Sequence, residues 1–177
     1  MSTVVLRSGN RAAELRWKDL SPTVVLAPGY YRRAHHEQLA GQLADLAAQH
    51  GSFEARRSAS DLSRQYDVLV QPDHLAVGAR DVELRTRVAE LYSWASDDEG
   101  LVMIETWGQV QWRVTVSPVV PTQIEEERFV AAAEQALAGV WHVHRDGAQL
   151  LAAQMRTGAS DADLQRAREL IALAGSR

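Results

Sequence analysis

The residues whose chemistry stands out first are paired imidazoles, clustered carboxylates and one Tyr/Arg run. His142-Val143-His144 sets two histidines two positions apart, and His35-His36 sets two more side by side. On a helix, residues two apart point about 200° from each other, so a single ion could not be gripped by both. No His-Glu-x-x-His pattern is present. The expectation is no metal site. Glu125-Glu126-Glu127 could be catalytic carboxylates, but three acids opening a helical stretch are accounted for by the positive end of the helix dipole and by solvent. They read better as part of a surface that binds a partner. Tyr30-Tyr31-Arg32-Arg33 interleaves aromatics with cations and, with Arg56-Arg57, could contact phosphates and stack on bases. The plainer reading is a solvated loop whose tyrosines close over the core. Trp17 and Trp112 fall on apolar faces and read as core. Trp107, at a hairpin bend, reads as an interface anchor.

No phosphate-cradling Gly loop, dinucleotide fingerprint or Gly-x-Ser-x-Gly elbow occurs. With no cysteine there is no disulfide, thiolate metal site or cysteine nucleophile. The expectation is therefore not an enzyme, with no catalytic residues and no cofactor. Charge points the same way. Residues 1–70 carry nine basic and seven acidic side chains, and residues 71–177 carry ten and sixteen, for a net charge of −4. A protein that works by neutralising phosphates needs a clustered basic excess. A protein partner is expected, and nucleic acid is disfavoured. The N-terminus lacks a basic segment followed by a long apolar run, and no run is long enough to span a bilayer. The expected setting is cytoplasmic, with no membrane partner; an oligomer is compatible with the chain.

The elements that must position these residues follow from periodicity. Thr3–Arg7 and Arg11–Lys18 read as a hairpin around Ser8-Gly9-Asn10, with a third short strand at Thr23–Leu26. Leu39, Leu43, Leu46 and Ala47 form an apolar helical stripe over His36–His50, ended by Gly51. Residues 52–66 show little periodicity and read as a connection, and Asp67–Val70 as a short strand. Leu84, Val88, Leu91 and Ala95 predict a helix over Arg80–Ser96. Leu101–Thr106 and Gln109–Ser117 form a second hairpin, in which Val110, Trp112, Val114 and Val116 alternate with polar residues. A long helix runs from Glu125 to about Met155, weakened at Gly139 and Gly147 with a break expected near Asp146-Gly147. Ser160-Asp161-Ala162-Asp163 opens a last helix. The two hairpins match at an offset of 99, which lays Gly9-Asn10 on Gly108-Gln109 and argues for an internal repeat. The domain reading is a first unit 1–51, a linker 52–78, a second unit 79–157 and a C-terminal helix 158–177.

The second unit carries a family likeness. Arg80–Ser96, Glu99-Gly100-Leu101-Val102-Met103-Ile104, Gly108-Gln109-Val110-Gln111-Trp112-Arg113-Val114-Thr115-Val116-Ser117-Pro118 and Glu125–Ala138 together resemble the YbaB/EbfC nucleoid-associated family. Thr3–Gln49 looks like a second copy without its first helix. Such units are also similar to accessory proteins encoded with actinobacterial type VII secretion systems. The resemblance implies an α+β fold of two YbaB-like hairpin-plus-long-helix units forming an internal pseudo-dimer, packed through their sheets. It also implies DNA binding as in the well-known members. Glu125–Ala138 departs from that pattern, with Arg128 as its only basic residue among four glutamates. The expected function is a non-enzymatic protein-binding or accessory module using Trp107, Glu125, Glu126 and Glu127, associated with type VII secretion. The alternative is a DNA-binding nucleoid-associated protein using Tyr30, Tyr31, Arg32, Arg33, Arg56 and Arg57.

Overall fold

A computed structural model of the chain describes residues 3–18, 21–66 and 79–157, with side chains over 3–18, 21–56 and 83–155. The fold is α+β: two three-stranded antiparallel sheets and their helices. Strands β1 (Val4–Arg7), β2 (Ala13–Lys18) and β3 (Ser21–Leu26) form the first sheet in that order. A 3-10 turn, Tyr31–Arg33, leads into α1 (His36–Tyr66). Helix α2 (Ala79–Ala89) precedes β4 (Tyr92–Ser96), β5 (Val102–Trp107) and β6 (Gln111–Val116), which form the second sheet. The short α3 (Val120–Gln123) leads into α4 (Glu126–Thr157). Among the described residues no helix is long and apolar enough to cross a membrane.

Period-two burial explains the strands. Ala13, Leu15 and Trp17 point inward from β2, as do Val102, Ile104 and Thr106 from β5, while their neighbours face out. Both first turns are built on the same device. Ser8 Oγ accepts the N–H of Ala13, and Asp97 Oδ1 accepts the N–H of Val102. The backbone N–H groups of Ser8 and Asp97 donate to the carbonyls of those same residues. Arg11 and Gly100 both sit at positive φ, 59° and 68°. These matches set the structural repeat at 89 residues through the first two strands. It becomes 90 through the third strand and the long helix, where Leu39, Leu43, Leu46 and Ala47 correspond to Phe129, Ala133, Ala136 and Leu137, all buried. The 99-residue offset is thus a one-strand slip: it lays β1 on β5, whereas the element order lays β1 on β4.

The slip came from Tyr92–Ser96. Leu84, Val88, Leu91 and Ala95 have helical spacing, but α2 stops at Ala89 and Tyr92–Ser96 is a strand paired with β5. Inward Ser93 and Ala95 alternate with outward Tyr92 and Trp94. The pairing partner, not the local period, decided it. The glycines of the long helices likewise answer to tertiary neighbours. Helix α1 passes through Gly51 and continues to Tyr66, so the stretch 52–66 is helical. A Cβ on Gly51 would lie 2.9 Å from the Gln109 carbonyl oxygen, at the β5–β6 turn. Helix α4 likewise runs unbroken past Gly147. A Cβ on Gly139 would lie 2.8 Å from the Ala95 Cβ, and one on Gly147 3.0 Å from Leu91 Cδ2. These glycines let another element approach; they do not end helices. The reading of Asp67–Val70 as a strand and that of the C-terminal helix at 158–177 lie outside the described residues.

The halves are joined by helices lying across strands. Helix α1 packs against β6, and α4 packs against its own β4 and β5 and also against β3. One core therefore contains Leu15, Val24, Leu39 and Leu46 from the first half with Ile104, Val116, Phe129 and Leu137 from the second. The expected junction through the sheets is instead helix on strand. Polar contacts reinforce it. Glu134 of α4 accepts the outward N–H of Val24 at 2.8 Å, closing part of the β3 edge. Pro22 shares that outward parity, so the proline removes no ladder bond. The buried Tyr31 hydroxyl lies 2.6 Å from the Val120 carbonyl oxygen and 2.7 Å from that of Ile124, and its ring stacks on Phe129.

Candidate functional site

The outer face of the second sheet is the most unusual surface of the described residues. Strand alternation and register build it in rows. Tyr92 stands opposite Trp107, and Trp107 opposite Gln111. Trp94 stands opposite Glu105, and Glu105 opposite Arg113. Ser96 stands opposite Met103, and Met103 opposite Thr115. Tyr92 is 45% exposed and Trp94 41%. The Tyr92 and Trp107 rings lie 5.1 Å apart at a tilt of 44°. Two tryptophans, a tyrosine and a methionine thus share one open three-stranded face.

Its polar groups are arranged around Glu105. The Tyr92 hydroxyl donates to Glu105 Oε1 at 2.6 Å. Desolvation, that bond and the carboxylate charge together push the Tyr92 hydroxyl up to about 12. Arg113 Nη1 lies 3.9 Å from Glu105 Oε2, beyond hydrogen-bond reach, with 69% of its side chain exposed. Its fork of donors is open to solvent. Trp107 is held at the end of β5 by a tight turn in which Gly108 and Gln109 both take positive φ, 58° and 62°, as a type I′ hairpin needs.

The same fold position in the first half is dressed differently. At the 89–90-residue offset, Val5 stands for Trp94, Glu14 for Met103, Arg16 for Glu105 and Lys18 for Trp107. There Glu14 is hydrogen-bonded by Arg7 at 2.9 Å and by Arg16 at 2.7 Å, and the Arg16 bond chiefly holds its carboxyl below the usual range. The scaffold accepts a charged outer face, so the aromatic one is not dictated by folding.

Of the residues singled out in the sequence, Trp107 belongs to this face. Glu125 and Glu127 are exposed and Glu126 half-buried at the start of α4. Neighbouring Arg128 is paired with Glu99 of the β4–β5 turn, at the far end of β5 from Trp107. The structure therefore does not bring Trp107 and the glutamates together. The Tyr/Arg run disperses as well. Tyr31 is core, and Tyr30 packs against it. Arg32 and Arg33 are exposed, with Arg33 Nε donating to the Gly29 carbonyl at 3.1 Å. Arg56 lies some twenty residues along α1, about 30 Å away at 1.5 Å per residue, beside Leu6, Gln49 and Phe53. The Arg57 side chain lies outside the described residues.

His142 and His144 diverge as helix geometry requires. His142 is exposed near Arg145, while His144 is buried with Nδ1 3.3 Å from Ser93 Oγ. Among the described residues, no three histidine or carboxylate side chains gather as a metal site would need. His50 is also buried, its ring 4.0 Å from that of Trp17 and 4.5 Å from that of Trp141. Among the described residues neither of its nitrogens has a hydrogen-bond partner. Burial pulls the pKa of both His50 and His144 down to about 4.

Sequence reasoning missed Tyr92, Trp94, Met103, Glu105 and Arg113. The available signal was the alternation of large and small residues through Tyr92-Ser93-Trp94-Ala95-Ser96, which the helical spacing of the leucines obscured. Comparison of the chain with protein-family models, curated proteins and solved structures finds no match.

Proposed function

We propose that the chain is a non-enzymatic accessory module that holds a protein partner on the outer face of its second sheet. The observation that carries this is Tyr92, Trp94 and Trp107 standing on an open face where the equivalent first-sheet positions carry ordinary or charged side chains. Large aromatics provide contact area at low entropic cost and dominate protein interfaces. The repetition of three strands and a long helix supports reading the scaffold as an internal pseudo-dimer of YbaB-like units. In that reading one half is kept as support and the other is specialised for binding. The resemblance to accessory proteins encoded with type VII secretion systems supports reading the module as an accessory of such a system.

The test is affinity capture from the native host with Trp94→Ser and Trp107→Ser, using Arg16→Ser on the first sheet as the control. The partner should be lost with either tryptophan substitution and kept with the control, with circular dichroism unchanged in all three. Retention by both tryptophan variants would sink the proposal.

A further inference from the structure

Resting on the docking-face reading, we infer that the occupant is a single amphipathic helix of another protein, apolar along one stripe and bearing a carboxylate that meets Arg113. Size argues for one helix. The face runs five residues along β4, from Tyr92 to Ser96, and spans three strands. At about 3.4 Å per residue and about 4.8 Å between strands, with side-chain margins, it covers roughly 300 Å². A second copy docked face to face would bury only about 600 Å² in total, against the roughly 1,200–2,000 Å² of a stable specific interface. A helix about 10–12 Å wide covers the same patch in about three turns, a contact of the weak, transient class below about 1,200 Å² that a short segment can make and an obligate dimer of this chain cannot rest on.

Charge argues for the carboxylate. Glu105 is mostly buried, with 12% of its side chain exposed, and the Tyr92 hydroxyl occupies one of its oxygens. Arg113 reaches it only at 3.9 Å and keeps its donors turned to solvent. A guanidinium with open donors on the same outer face as Trp94 and Trp107 favours a bidentate carboxylate from the partner. Apolar side chains at i, i+3 or i+4 and i+7 would seat over Met103, Trp94 and Trp107, the spacing by which helices are read in grooves.

The experiment places a photo-crosslinking amino acid at exposed Gln111 in the full chain, in the native host, and sequences the captured segment. A synthetic peptide of that segment is then titrated against wild type and Arg113→Glu by fluorescence anisotropy. The expected segment comes from another protein, repeats its apolar residues at helical spacing and carries Asp or Glu beside the stripe. Arg113→Glu should weaken the peptide about tenfold, and a peptide with those acids changed to Lys should recover affinity for Arg113→Glu. The inference is overturned if the segment belongs to this chain, alternates with period two or is basic, or if Arg113→Glu leaves binding unchanged; in each case the docking face itself stands. No crosslink at Gln111, together with capture unaffected by Trp94→Ser and Trp107→Ser, would remove both.

Discussion

His50, between the Trp17 and Trp141 rings, and His144, with Nδ1 beside the Ser93 hydroxyl, are both buried, and burial disfavours their charged forms. Their folded-state pKa of about 4 lies below the ordinary 6.5. As pH falls, the unfolded chain takes up protons first, so stability is full above about pH 6.5 and is lost as pH drops toward 4. Each histidine sets a limiting slope of about 1.4 kcal/mol per pH unit in that window. Urea midpoints measured from pH 7.5 to 4.5 should fall, and His50→Phe should remove about half of the fall. An unchanged slope would show that the ring at position 50 does not govern it. Exposure separates the tryptophans in the same way. Trp17→Ser, which empties a buried site between His50 and Trp141, should cost at least about 3 kcal/mol. Trp94→Ser should cost less than about 1 kcal/mol, because that ring stands on the open face. Chemical denaturation of the two variants checks the contrast.

Helix α4 shows how one element answers to several neighbours. A lone helix gains from replacing glycine by alanine, by about 0.5–1 kcal/mol. A Cβ on Gly41 of α1 would meet nothing within 4 Å among the described residues, so Gly41→Ala should stabilise by about that amount. Gly139→Ala should destabilise, because its Cβ would press on Ala95 at 2.8 Å. Adding Ala95→Gly should restore part of the loss, a coupling that a double-mutant cycle measures; strict additivity would mean the helix and β4 do not meet there. The apolar stripe Leu39, Leu43, Leu46 and Ala47 of α1 was legible because helical spacing and burial agree. In α4 the helical spacing of Val130, Ala133, Leu137, Val140, His144, Ala148, Leu151 and Met155 marks a seam, in which Val130, Ala148 and Met155 are only half-buried and which buried Phe129, Ala136 and Trp141 widen. That wider face arises because α4 touches both sheets. Tyr92–Ser96 was not legible, since five residues of strand carry a weaker periodic signal than the helix leading into them.

At the scale of the molecule, the halves share one core and cannot titrate out separately. Trp17, His50, Trp112 and Trp141, two from each half, form a chain of ring contacts between 4.0 and 5.7 Å. Tyr31 and Glu134 cross the same junction. Thermal unfolding should therefore show one transition whose calorimetric and van't Hoff enthalpies agree, and Leu15→Ala should accelerate hydrogen exchange in β5 as well as in β2. Two resolved transitions would mean that the halves fold independently.

By itself the sequence determined the α+β class of the fold, the strands β2, β3, β5 and β6, and the stripes of the two long helices. Each follows from the period of apolar residues along a single element. Only the tertiary structure decided the 89–90-residue repeat, the roles of Gly51, Gly139 and Gly147, and the gathering of Tyr92, Trp94, Met103 and Trp107 on one face. Those depend on which strand pairs with which and on how closely a helix crosses it. Such contacts join residues far apart in the chain, and no local period records them.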